Sequence, residues 1–197
     1  LFSGSNFNFV SYDIESLVFP ESPFDAEGWL ITGSRHGVYE DHKFIQPLEE
    51  FIRRVEEEKI PLLGICFGHQ IIAQALGGKV EKFSGGWSVG LKEYKWGNER
   101  LHLNAWHQDQ VIKKPKTAKV LAENSFCKYA ALSYGDSILT TQPHPEFTHE
   151  VIKGLIETRG KGRVPEHLLD EALSNIEKKT SLNEIVAKFS LVLNGDR

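Results

Sequence analysis

The chain has 197 residues, 40% apolar and 25% charged, with 23 Lys and Arg against 27 Asp and Glu for a net charge of −4. That length builds one domain with a sizeable core. The slight acidity, without a block of like charge, excludes the basic footprint of a nucleic-acid binder, and no uncharged apolar run of about 18 residues marks a membrane span. No signal-peptide pattern opens the chain. Two cysteines, Cys66 and Cys127, give no disulfide framework and point to a reducing, cytoplasmic setting. Residue 1 is Leu and Met is absent, which is unusual for a chain of this length.

Taken in order, Phe7, Phe9 and Ser11 alternate with Asn8 and Val10, predicting a short strand over 7–12. Leu17-Val18-Phe19 is a second apolar piece, ended by Pro20. Trp29-Leu30-Ile31 predicts a strand that runs into the loop Thr32-Gly33-Ser34-Arg35-His36-Gly37. Phe44, Ile45, Leu48, Phe51, Ile52 and Val55 mark one face of a helix, with Glu49, Glu50, Arg53 and Arg54 on the other. Ile60 to Ile65 is a continuous apolar run, a short buried strand, and His69 to Leu76 carries Ile71, Ile72, Ala75 and Leu76 at helical spacing. Strand, helix, strand, helix over 28–76 predicts an α/β fold. Its central sheet is expected to be mostly parallel and flanked by helices, a flavodoxin-like three-layer sandwich.

After Gly77-Gly78 the pattern changes. Lys79 to Phe83 and Val89 to Trp96 predict antiparallel strands around the loop 84–88, a small antiparallel extension. Residues 101–105, 118–122, 129–133 and 138–142 predict further short strands. Val151, Ile152, Leu155 and Ile156 mark a helix face, and 165–193 carries two amphipathic helices. With no repeat, low-complexity tract or linker, residues 1–197 read as a single domain, 158–197 being C-terminal helices.

The chemistry converges on Gly64-Ile65-Cys66-Phe67-Gly68. A Cys between two glycines, where a strand turns sharply into a helix, is the thiol version of the nucleophile elbow. The glycines let neighbouring backbone approach, and the helix N-terminus favours thiolate over thiol. The bland alternative is a free Cys packed as a small hydrophobe. A nucleophile needs a base, and His144 lies just past a predicted strand, stiffened by Pro143 and Pro145. Glu146 is placed at i+2 to hold its tautomer. The Phe67 N–H and the Gly33-Ser34 loop are candidates for an oxyanion hole, because strand C-termini gather at one edge of a parallel sheet. Cys127 has no glycine bracket or adjacent base and reads as buried and inert. Cys66 and His69 lack the second pair that a tetrahedral metal site requires. No glycine-rich phosphate loop is present, so no metal or cofactor is expected.

Gly64-Ile65-Cys66-Phe67-Gly68-His69-Gln70, followed by Pro143-His144-Pro145-Glu146, resembles the class I (triad) glutamine amidotransferase domain over roughly residues 28–157. Trp106-His107-Gln108-Asp109-Gln110-Val111 is similar to a stretch of stand-alone members related to the glutaminase half of GMP synthetase. The resemblance implies Cys66 as nucleophile, His144 as base and acid, Glu146 as orienter, and Phe67, Gly33 and Ser34 as the oxyanion element. It also implies Gln70, Trp87 and Ser88 beside the substrate, and a further strand ahead of residue 1. The implied reaction is hydrolysis of the glutamine side-chain amide, with ammonia passed to a separate synthetase subunit. A γ-glutamyl peptide hydrolase of the same fold is the alternative, and a non-catalytic binding protein is the second.

Overall fold

The computed structural model describes residues 1–2 and 5–195. Two short 3-10 turns, Ile14–Ser16 and Pro23–Asp25, precede β1 (Trp29–Ile31), α1 (Ile45–Glu57), β2 (Leu62–Ile65) and α2 (Phe67–Ala75). Then come β3 (Lys79–Lys82), β4 (Ser88–Trp96), β5 (Glu99–His107), β6 (Asp109–Lys113), β7 (Ala118–Glu123), β8 (Ala131–Tyr134) and β9 (Ile138–Thr141). The chain closes with α3 (His149–Leu155), which runs on as a π-helical turn over Ile156–Gly160, then α4 (Glu166–Ser174) and α5 (Leu182–Asn194).

Seven strands form one sheet in the order β1-β2-β9-β8-β7-β4-β5, and β3 and β6 form a separate pair. Only β1/β2 and β2/β9 run parallel; the other ladders of the large sheet are antiparallel. The sheet is therefore mixed and mostly antiparallel, which corrects the mostly parallel sheet expected from residues 28–76. The reason lies in the connections. Helices α1 and α2 follow β1 and β2, and helical crossovers return a strand parallel. The steps from β4 to β5 and from β8 to β9 are short turns, which force reversal. The expected pairing of 79–83 with 89–96 is also corrected. β3 pairs with β6, while β4 pairs with β5 and β7. The strand expected over 7–12 is absent; Phe7 and Phe9 instead gather with Phe2 in a ring cluster with centroids 5.6 to 6.3 Å apart.

β2 is buried at every position, with Leu62 packed in the core beneath α1 and α2 and Leu63 and Ile65 in the core beneath α5. Burial on both faces explains its unbroken apolar sequence. α1 forms because Ile45, Leu48, Phe51, Ile52 and Val55 fall on one stripe, all buried. Among the described residues no helix is long and apolar enough to cross a membrane.

The tightest constraint lies where α2 crosses the sheet. A Cβ at Gly64 would stand 2.7 Å from the Gly68 backbone and from Ile72 Cδ1, and one at Gly68 would run into the Ile31 carbonyl. Two glycines thus let α2 lie directly on β1 and β2. Gly68→Ala is expected to cost about 3 kcal/mol, lowering the melting temperature by roughly 6–12 °C. Thermal unfolding that leaves the midpoint unchanged would refute this close approach.

Candidate active site

Three neighbouring strands deliver the candidate residues to one edge of the sheet. β1, β2 and β9 are adjacent and parallel, so their C-terminal ends lie together, leading into Gly33, Cys66 and His144 respectively. Cys66 occupies the turn from β2 to α2 at φ 52°, ψ −100°. A non-glycine residue there is strained by about 1–3 kcal/mol and persists only where its surroundings fix it. Two backbone bonds do so: Cys66 N–H donates to the Thr141 carbonyl at 2.9 Å, and the Cys66 carbonyl accepts from Gln70 N–H at 3.0 Å. Cys66 makes no side-chain cap bond, so the first N–H groups of α2, beginning at Phe67, open onto the elbow.

His144 is 5% exposed. Its N–H donates to the Asn104 carbonyl at 2.8 Å, and its ring stacks on Phe147 at 3.9 Å between centroids and 10° between planes. Nδ1 lies 2.7 Å from Glu146 Oε1. Gly33 closes the third side: a Cβ there would stand 2.8 Å from His144 Cε1 and 3.7 Å from Cys66 Cβ. Burial works against a charged imidazole. The charge and hydrogen bond of Cys66, then the hydrogen bond and charge of Glu146, outweigh it and raise His144 to about 10.

The remaining candidates are distributed around this group. The Ser34 hydroxyl is turned to Glu15 Oε1 at 3.5 Å and accepts the His36 N–H at 3.3 Å, so it is Gly33 rather than the Ser34 side chain that meets Cys66. Gln70 is buried, its amide nitrogen donating to the Asp109 carbonyl at 2.9 Å and Gln142 Oε1 at 3.0 Å. Ser88 is buried opposite His107 across the β4–β5 ladder, and Trp87 lies 6.2 Å from Trp106. Trp87 and Ser88 line a cleft with Lys92, Phe126, Pro165 and His167.

Beneath the elbow runs a buried polar seam. His69 Nδ1 meets Thr140 Oγ1 at 2.8 Å, and His107 Nδ1 faces the Asp109 carbonyl at 3.2 Å. Burial first, then a neighbouring imidazole, pushes both rings down to about 3, so they stay neutral. Cys127 is buried, and burial pushes its thiol up to about 12, away from thiolate chemistry. Asn104 and Phe147, which hold His144, were not anticipated. Phe147 directly follows the Pro-His-Pro-Glu stretch and could have been picked out. Asn104 acts through its carbonyl, which accepts the His144 N–H, and through its side-chain amide, which donates to the Phe147 carbonyl at 2.9 Å; a lone Asn in a strand carries no sequence signal for either.

In ring-nitrogen NMR titrations, His144 is expected to remain protonated well above the ordinary imidazole value of about 6.5. Cys66→Ser removes the largest raising influence and is expected to bring that titration down further than Glu146→Gln does. Wild-type His144 titrating in the ordinary range would mean that the three side chains do not act together.

The family model described as glutamine amidotransferase class-I matches residues 6–158. Gamma-glutamyl peptidase 4 of Arabidopsis thaliana is 32% identical over 178 residues, covering 83% of this chain and 69% of that protein. A glutamine-hydrolyzing GMP synthase of Thermus thermophilus is 30% identical over 158 residues, covering 70% of this chain and 30% of that one. The crystal structure of a glutamine amidotransferase from Thermotoga maritima shares the fold, with a TM-score of 0.76 at 23% identity over 95% of this chain and 87% of that chain.

Proposed function

The chain belongs to the class I glutamine amidotransferase family, and we propose that it hydrolyses γ-glutamyl amides, with γ-glutamyl peptides as its preferred substrates. The observation that carries the amide hydrolysis is a thiol on a strained elbow, facing an imidazole whose other nitrogen lies 2.7 Å from a carboxylate. Cys66 attacks the γ-carbonyl as thiolate, and His144 is the acid that protonates the departing amine. Water, deprotonated by the same imidazole, then attacks the thioester; glutamate leaves and the thiolate returns. Glu146 holds the imidazole in one tautomer and supports its positive charge. The Phe67 N–H and the Gly33 backbone stabilise the oxyanion, with Ser34 fixing the Gly33 loop rather than donating. Gln70, Trp87 and Ser88 form the wall that takes the glutamyl moiety. We read residues 1–197 as one domain for this purpose.

Glutamine and γ-glutamyl peptides share the scissile carbonyl and differ only in the leaving amine. The sequence motifs alone favour glutamine, with ammonia handed to a separate synthetase. What supports the peptide reading is the similarity to an Arabidopsis protein named as a γ-glutamyl peptidase, which spans 83% of this chain. The glutaminase reading draws on the similarity to GMP synthase and would require an acceptor subunit. A binding protein without catalysis would not need a Cys, His and Glu held in this geometry.

Glutamate release from γ-glutamyl dipeptides and from glutamine, measured side by side, separates the readings. The dipeptides are expected to give the larger kcat/KM by about tenfold or more, a modest pocket-level discrimination. Preference for glutamine would transfer the assignment to the glutaminase. Cys66→Ser is expected to lower turnover by about 10⁴-fold or more, and His144→Ala to lower kcat by about 10²- to 10⁴-fold while substrate still binds. Full activity in Cys66→Ser would remove Cys66 as nucleophile.

A further inference from the structure

The loop between β1 and α1 carries a second group of ligating side chains, distinct from the Cys66 triad. His36, Glu40 and His42 each bring one ligand atom within 4.8 Å of the others. His42 Nε2 lies 2.9 Å from Glu40 Oε2, and His36 Nδ1 lies 3.9 Å from the same oxygen. Donors around a tetrahedral cation with bonds near 2.0–2.1 Å sit about 3.3 Å apart, between these two spacings. Ordinary hydrogen bonding explains the first contact but not the second, which is too long for it.

The two imidazoles are held by packing rather than left free. Their centroids are 4.2 Å apart, and Phe44 stacks on His42 at 5.4 Å and 9°. The loop itself is fixed by Gly37 N–H donating to Glu40 Oε2 at 3.0 Å, by Gln74 Nε2 donating to the Val38 carbonyl at 2.7 Å, and by Tyr39 donating to Asp109 at 3.1 Å. The outer nitrogen of His36, Nε2, stands 3.4 Å from Glu15 Oε2. A carboxylate on the outer nitrogen of a ligating histidine fixes its tautomer and orients it to the metal. Arg35 is the competitor: its Nε lies 3.4 Å from the same nitrogen and its Nη2 lies 3.9 Å from Glu15, on a side chain that is 72% exposed.

We propose that His36, Glu40 and His42 form a site for a late first-row divalent cation, zinc by its donor set, with Glu15 as the carboxylate behind His36. Two imidazoles and one carboxylate suit Zn²⁺ and leave a position for water. The same loop carries Gly33, so the cation would clamp the segment that abuts Cys66 and His144.

The test uses metal-free Cys66→Ser protein, so that the triad thiol takes no metal. It is titrated with Zn²⁺ against a chromophoric chelator, and with Co²⁺ followed by its visible absorption. The expected result is one cation per chain with the intense absorption of a tetrahedral Co²⁺ site. His36→Ala combined with His42→Ala is expected to weaken binding by about 100-fold or more, and Glu15→Gln by about 10- to 100-fold. His42→Gln, close in size and checked by circular dichroism, covers the case in which the double variant does not fold. Unchanged Zn²⁺ affinity in the folded histidine variants, or no uptake by folded Cys66→Ser protein, would overturn the assignment.

Discussion

The backbone of Cys66 is the constraint on which the site depends. Its φ of 52° belongs to the left-handed region, where an L-residue with a Cβ pays in strain. Local sequence does not favour that conformation, so the surroundings must impose it. Thr141 and Gln70 hold the peptide groups on either side, and the close seating of α2 on β1 and β2 at Gly64 and Gly68 prevents relaxation. The consequence reaches well beyond one residue. With β2 between β1 and β9, fixing the elbow also fixes which loops face it. Positions 33, 66 and 144 meet although the chain separates them widely.

Electrostatics then separates one buried imidazole from two others. His69, His107 and His144 are all almost fully buried, and burial lowers each of them. Burial therefore does not decide which one carries a proton. The decision falls to charge partners: His144 has Cys66 and Glu146, whereas His69 has a hydroxyl and the His107 ring, and His107 has a backbone carbonyl and the His144 ring. The result is an ionisable ring above a neutral polar seam. Among the described residues, His69 Nε2, His107 Nε2, Gln110 Nε2 and Gln142 Nε2 have no hydrogen-bond partner in this seam.

What could be read from the sequence was local. The glycine-bracketed Cys66 and the Pro-His-Pro-Glu stretch announce themselves within a few residues, and α1 follows from a stripe of five apolar positions. β2 was legible because burial on both faces leaves a continuous apolar run. The direction of the sheet was not, since it is set by connections rather than by the strands. The short turns that make β4/β5 and β8/β9 antiparallel lie outside the 28–76 pattern from which the direction was inferred. β6 was missed because Asp109–Lys113 is short and half polar, its partner β3 lying on the far side of a hairpin. The alternation of Phe7 and Phe9 was real, but rings packing on rings produce it as well as a pleat does.

The antiparallel half of the molecule is more than an extension of the sheet. The β4–β5 ladder pairs all nine residues of each strand, Ser88 with His107 through Trp96 with Glu99, and is the most continuous ribbon in the fold. It brings Asn104 of the edge strand round to His144 and presents Ser88 and Trp87 at the mouth of the cleft. Helix α4 is seated on this ribbon: a Cβ at Gly90 would stand 2.5 Å from Ala172 Cβ, and Lys92 pairs with Glu171 at 2.6 Å. The Gly90–Ala172 contact lies two residues from Ser88, so α4 supports the wall of the cleft, whereas α5 packs through Ile185, Phe189 and Val192 in the core that holds Leu63, Ile65 and Cys66. Two mechanical units result. The parallel half fixes Cys66 and the Gly33 loop through glycine contacts that tolerate little change. The ribbon with α4 frames the separate cleft lined by Trp87, Ser88, Pro165 and His167.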